Sequence, residues 1–363
     1  MDGVHFVAGT PNAYIHEDNL LDTAGEWIGK YGSSVFIVTG RKSWEQAGTR
    51  LTASMEKAGV SYHIEHYRGE CSYEEVARLG KLVPEGTELI VGVGAGKVID
   101  TAKKLSIDLR LPLVAVPTLA ATCAPVSNLS VMYTEEGVYI DFRVFYRNTL
   151  LVLVDTGLIA GAPVRYLAAG IGDTIAKWYE TLASSSGVSG HLPTVGGIQA
   201  AKICYETLLA HSAQALEDAK AKRSSKALQQ VIDAIFLFSG LVAGLGEDNC
   251  RSAAAHAVHN GLTAIPEMHH AYHGEKVAYG ILVQLALEKR PMEEVKELLD
   301  FYTETGLPAN LKQLGLNRAL SEDEMAEVIR IALSPQGTMG NMPFEVTSEA
   351  LKEAIFTVED WSA

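Results

Sequence analysis

The chain has 363 residues, 47% of them hydrophobic and 20% charged, with a formal net charge of -14. An acidic surface argues against nucleic acid and anionic membranes as partners, since both require a basic face. The sequence holds no uninterrupted run of eighteen apolar residues. Its N-terminal MDGVHFVAGT lacks the basic and long apolar regions of a secretory leader, so the expectation is a cytoplasmic protein without membrane association. Cys71, Cys123, Cys204 and Cys250 lie far apart with no CxxC pair, which suits reduced thiols and disfavours a thiolate metal site. The length favours two domains.

Up to about residue 158, short β-branched runs alternate with amphipathic segments. Val35 to Gly40, Ser61 to Tyr67, Glu88 to Gly94 and Pro112 to Thr118 read as strands. The helical patterns SWEQAGTRLTASMEKAG and SYEEVARLGKLV fall between them, predicting parallel β-α units and a nucleotide-binding architecture. In ELIVGVGAGKVIDTAKKL a buried strand runs into Gly92, Gly94 and Gly96 and a helix starts directly after. Free N–H groups at such a helix start attract phosphate, with Lys97 and Asp100 in the first turn. The spacing G-x-G-x-G-K is neither the dinucleotide nor the Walker pattern, so glycines serving only a tight turn remain an alternative. Thr118, Thr122 and Ser127 follow the next strand end, where ligands of open α/β sheets lie. A hairpin-like pair, LSVMYT and VYIDFRVF around Glu136-Gly137, precedes a last strand at Leu151 to Asp155.

After Ala162-Pro163 the pattern turns helical, predicting an all-α second domain over 159–363, a first domain over 1–158, and a site in the cleft between them. Pro291 is expected at a first helical position, and Ser321 with Glu324 forms a capping box. Asp173 follows Gly170 and Gly172 in a largely apolar segment, where a carboxylate is costly to bury unless paired or bound to a cation. Its alternative is a helix cap. Residues 251–280 hold five of the eleven histidines. His256 and His259 lie one turn apart in an Ala-rich run, and His270 and His273 follow a Pro-containing loop. A divalent metal bound by one histidine from each group is the sharp reading, and ordinary surface or core histidines are the other.

GVGAGKVIDTAKKL, VPTLAATCAPVSNLSVMYT, GIGDTIAKWYE, AAAHAVHNGLTAIPE and HGEKVAYGILVQLAL together resemble the glycerol dehydrogenase branch of the iron-containing, or group III, alcohol dehydrogenases. The resemblance implies a dehydroquinate synthase-like architecture, a Rossmann-like NAD(P)-binding domain with a parallel sheet followed by an all-α domain, and a homo-oligomer. It implies a divalent metal, zinc ahead of iron, on Asp173, His256 and His273. The cofactor pyrophosphate would lie on Gly94, Ala95, Gly96 and Lys97 with Asp100 nearby. Thr118, Thr122, Ser127, Leu129 and Tyr133 would line the nicotinamide side, and Gly40 ends the first strand of the fold. His259, one turn beyond His256, is a proton-relay candidate.

Two departures bear on the substrate. Glycerol dehydrogenases of this branch resemble one another in a TDAP motif whose Asp binds polyol hydroxyls, whereas this chain has Thr122-Cys123-Ala124-Pro125. Lys177 stands four residues after Asp173, on the same helix face. Losing an anion and gaining a cation favours a substrate carboxylate, and the pattern is similar to the hydroxycarboxylate dehydrogenase subgroup. The expectation is therefore interconversion of 2-hydroxy and 2-oxo acids with Cys123, Lys177 and His259 in the pocket, and glycerol oxidation as the alternative. The first strand ends Thr39-Gly40-Arg41-Lys42 without the acidic residue that binds a ribose 2'-hydroxyl, so NADP joins NAD. A phosphate-handling lyase and a non-catalytic NAD- or metal-binding sensor rank below these.

Overall fold

In chain order the first half runs β1 (Ala13–Glu17), α1 (Ala24–Ile28), β2 (Ser34–Thr39), α2 (Arg41–Lys57), β3 (Ser61–His66), α3 (Tyr73–Gly80), β4 (Leu89–Gly94), α4 (Gly96–Asp108), β5 (Leu113–Pro117), β6 (Leu129–Tyr133), β7 (Tyr139–Val144) and β8 (Leu151–Asp155). Six of these strands form one parallel sheet in the order β1-β8-β5-β4-β2-β3, with the buried, β-branched β8, β5, β4 and β2 inside it. The computed structural model describes residue 7 and residues 9–361, so the reading of the N-terminal decapeptide falls mostly outside the described residues. Every residue of β4, β5 and β8 is buried, as a parallel sheet covered on both faces requires. One face packs on α1 and α2 through Ile28, Leu51 and Met55, the other on α3 and α4 through Val76, Leu79 and Leu105.

The chain leaves β2 for β3 on one side and β4 for β5 on the other, which makes the gap between β2 and β4 a topological switch point. Gly94 ends β4, and Gly40 directly follows the last residue of β2. Ligands bind at such points, beyond the strand carboxyl ends. The predicted hairpin forms as β6 and β7, a separate antiparallel pair with an irregularity at Met132/Tyr133. β1 is absent from the strands expected from sequence. AYIHE carries no apolar run, and it becomes a strand by pairing along β8, Ala13 opposite Leu151 through Glu17 opposite Asp155.

Among the described residues only helices follow β8: α5 (Thr156–Ala160), α6 (Val164–Ser184), α7 (Leu192–Lys220), α8 (Lys226–Asp233), α9 (Ser239–Gly246), α10 (Ala254–Leu262), α11 (His273–Leu287), α12 (Met292–Thr305), α13 (Glu322–Ala332) and α14 (Ser348–Trp361), with short 3₁₀ turns between some of them. The expected boundary at 158/159 falls within α5. Ser321 and Glu324 form the predicted capping box of α13, while Pro291 is the N-cap of α12, one place before its expected position. α8 runs through a π-helical turn at Ala234–Phe238 into α9. By length and composition Lys226–Cys250 is apolar enough to cross a membrane, although its polar residues interrupt any continuous apolar run. Leu228, Val231, Ile232, Ile235 and Phe236 are instead buried in the helical core. The two halves also meet at Asp233 of α8, which accepts hydrogen bonds from Tyr14 Oη and His16 Nδ1 of β1, both at 2.9 Å.

Candidate metal and cofactor site

Glycines bring the proposed ligands together. A Cβ on Gly170 of α6 would collide with the Ala120 carbonyl, and one on Gly274 of α11 with the Ala169 carbonyl. Gly172 faces Gly274 with equally little room. These close approaches set the adjoining Asp173 and His273 side by side. α10 packs on α11 where Gly280 meets the Ala255 backbone, and this delivers His256 to the same point.

Asp173 Oδ1 lies 3.4 Å from His256 Nε2 and 3.5 Å from His273 Nε2. The three ligand atoms all fall within 4.8 Å of one another. Asp173 is buried and its Oδ1 has no hydrogen-bond partner, a costly arrangement that a cation would relieve. His256 Nδ1 is held by Glu180 Oε2 at 2.6 Å, and His273 Nδ1 by His259 Nε2 at 3.0 Å. Each imidazole thus keeps its Nε2 for an ion while its other nitrogen is fixed, the usual support of a metal-ligating histidine. An Asp and two His fit a divalent cation of the zinc or iron kind.

Burial opposes the charge of Asp173, but the Lys177 ammonium and the two neighbouring imidazoles outweigh it and hold the carboxyl well below its ordinary pKa. Burial likewise works against a charged His256, and Glu180 overcomes it, raising that imidazole to about 9. Burial and the neighbouring cationic groups push His259 well below its ordinary value. Lys177 is buried, with Nζ 3.9 Å from Asp173 Oδ1, so the substrate-binding cation expected from sequence is in part committed to a metal ligand. Cys123 is half-buried; burial raises its thiol pKa and Lys177 opposes the rise.

The glycine loop divides its labour. A Cβ on Gly94 would fall 2.7 Å from Val98 Cβ and one on Gly92 2.9 Å from Ala102 Cβ, so these two glycines seat α4 against β4. Ala95 caps α4 and Gly40 caps α2, neither with a side-chain bond, leaving both helix starts open at the switch point. Arg41 and Lys42 are the exposed first residues of α2. Lys97 Nζ is 2.6 Å from Glu70 Oε1 and 5.2 Å from the centre of the Tyr133 ring, so contact with a pyrophosphate requires it to leave Glu70. Thr118 Oγ1 approaches Ser43 Oγ at 3.4 Å, and Thr122 Oγ1 accepts from Ala124 N at 3.4 Å.

Asp100 is turned inward. Its Oδ2 accepts from Val131 N at 3.2 Å, and Lys103 Nζ lies 3.3 Å from its Oδ1. Burial raises its pKa against the opposing pull of Lys103. Lys103 also donates to the carbonyls of Ala124 at 2.8 Å and Leu129 at 2.6 Å, and approaches Ser127 Oγ at 3.4 Å. The pair pins the 118–133 segment, including Ser127 and Leu129, onto α4. Sequence reasoning passes over Lys103 and Glu180. Glu180 had a signal, standing two helical turns after Asp173 on the same face, whereas a lysine inside an amphipathic helix reads as solvated.

A profile of the iron-containing alcohol dehydrogenases matches residues 11–156. The chain is 36% identical to a glycerol dehydrogenase of Citrobacter freundii over 358 residues, 97% of each chain. It is 36% identical to hydroxycarboxylate dehydrogenase A of Escherichia coli over 361 residues, 99% of each. The crystal structure of glycerol dehydrogenase from Schizosaccharomyces pombe superposes with a TM-score of 0.91 at 32% identity, covering 99% of this chain and 91% of that one. The chain therefore belongs to the iron-containing alcohol dehydrogenase family of oxidoreductases, on its glycerol dehydrogenase-like branch.

Proposed function

We propose that the protein interconverts a small secondary alcohol and its ketone with NAD or NADP and one divalent cation, zinc ahead of iron, as a cytoplasmic homo-oligomer. The observation that carries this reading is the orphaned, buried Asp173 Oδ1 between two oriented imidazoles. A cation held there supplies Lewis acidity towards an alcohol or carbonyl oxygen. Glu180 and His259 fix the ligand imidazoles. His259 is better supported as a positioning residue than as a proton relay, since Asn260 engages its Nδ1 at 3.0 Å and His273 its Nε2. The open N-termini of α4 and α2 receive the pyrophosphate, and the segment from Thr118 to Tyr133 borders the nicotinamide.

Similarity supports a vicinal polyol of the glycerol type as substrate more strongly than the 2-hydroxycarboxylate expected from the sequence. The oxo-acid reading stands second, favoured by Cys123 and buried Lys177 and weakened by the ion pair of Lys177 with Asp173. Turnover of dihydroxyacetone is to be compared with 2-oxoglutarate, oxaloacetate and 2-oxobutanoate, each with NADH and NADPH, on metal-loaded enzyme. A higher kcat/KM for dihydroxyacetone is expected, and a clear preference for an oxo acid reverses the order. In that case Lys177→Ala should raise KM for the oxo acid well above its effect on neutral ketones. Absence of turnover with every carbonyl sinks both readings.

A further inference from the structure

β7 pairs with β6 along one edge and, among the described residues, with nothing along the other. A two-stranded ribbon is marginal in water, and natural proteins cover or charge an apolar strand edge. Here the edge is open, and the strand carries an apolar face beside it. Val138 is 62% exposed, Ile140 44%, Phe142 39%, Val144 45% and Tyr146 64%. Within β7 itself the charged residues are Asp141 and Arg143, which bond to each other at 2.7 Å. Tyr73 Oη of α3 donates to Asp141 Oδ1 at 3.0 Å and accepts from Arg143 Nε at 2.7 Å, so both charges lie on the side turned towards α3.

We propose that this edge is a subunit seam, in which a second copy of the chain adds its own β7 antiparallel across a two-fold axis at Phe142. Such an interface is self-complementary by symmetry. With the axis at Phe142, Asp141 faces the partner's Arg143, and Ile140 faces the partner's Val144. Moving the axis by one residue sets Asp141 opposite itself or Arg143 opposite itself, and like charges directly opposite are destabilising. The charge pattern therefore selects one register, and the result is a four-stranded antiparallel sheet in which the backbone edge of β7 is paired and Ile140, Phe142 and Val144 pack beside residues of the partner on one shared face. The seam also reaches both domains, because the Arg251 guanidinium, on the segment leading into α10, lies 6.0 Å from the Phe142 ring centre.

The test uses the full chain. Sedimentation velocity at micromolar concentration should give a dimer or an even multiple, and a monomeric wild type overturns the proposal, including the case in which this edge serves a different protein. Asp141→Lys and Arg143→Glu should each raise the dissociation constant at the seam tenfold or more, and the double exchange should restore it. Failure of the double exchange to restore association counts against the register. Phe142→Cys tests the axis directly, since opposed residues of an antiparallel pair have Cα atoms about 4.5–5.5 Å apart, within disulfide reach. On mild oxidation it should give a covalent dimer, whereas Val138→Cys should not, its two copies lying roughly 27 Å apart along the strands. Cross-linking at 138 but not at 142, or an unchanged oligomer in Ile140→Glu with native circular dichroism, refutes the seam.

Discussion

Glu180 decides how His256 meets a metal although it is not among the proposed ligands. Its Oε2 takes the imidazole Nδ1, and its Oε1 accepts the backbone N–H groups of Ala253 and His256, so one buried carboxylate fixes both the ring and the start of α10. Glu180→Gln keeps the volume and loses the charge. It should lower metal affinity about 10–100-fold, the usual cost of removing such a support, with the fold retained. Competition with a chromogenic chelator measures this, and unchanged affinity would show that Glu180 serves the helix alone. Metal at about 100 times its dissociation constant should stabilise the protein by about 2.7 kcal/mol in chemical denaturation. Asp173→Asn should abolish that increment. Residue types made Asp173 and a histidine cluster legible, and the family resemblance singled out His256 and His273 within it. The service roles of Glu180 and His259 depend on which ring nitrogen each side chain meets, and that is a matter of rotamers.

At the scale of elements, the buried Lys103–Asp100 pair joins α4 to the segment proposed to border the nicotinamide. Removing one member of a buried pair strands the other, so Lys103→Met should cost about 3 kcal/mol in urea denaturation. The same variant should weaken NAD(P)H binding more than metal binding, because the carbonyls of Ala124 and Leu129 lose their donor. Equal loss of both would assign Lys103 to global stability only. The cap of α13 is a simpler case. Ser321→Ala removes its acceptor for Glu324 N, and about 1 kcal/mol of stability should go with it. Capping and the apolar strands β2, β4, β5 and β8 were legible because their causes are local. β1 was not, since AYIHE gains its strand character only along β8.

At the scale of the whole molecule, β1 and α8 are clasped through Asp233. Its hydrogen bond raises the pKa of His16 above the ordinary 6.5, with burial opposing and charge attraction adding to the rise. A raised folded pKa gives stability that is fully present below the unfolded value and is lost as pH rises through the folded one. Wild type should therefore exceed His16→Gln in thermal stability at pH 5.5, and the gap should close by pH 9. His16 is well exposed, so the difference should stay below about 1 kcal/mol. A gap independent of pH would assign the clasp to the neutral hydrogen bond.

The sequence by itself determined the parallel α/β half, the helical half and the glycine-rich strand-to-helix turn, because strand burial and helix periodicity are properties of short stretches, while the choice of Asp173, His256 and His273 as ligands rested on the family resemblance. It could not determine the state of Lys177, which periodicity places near the metal and which packing commits in part to Asp173. Nor could it distinguish the glycines that seat α4 on β4 from those that bring α6 and α11 together. Those outcomes depend on how closely distant backbones approach, and only the tertiary structure decided them.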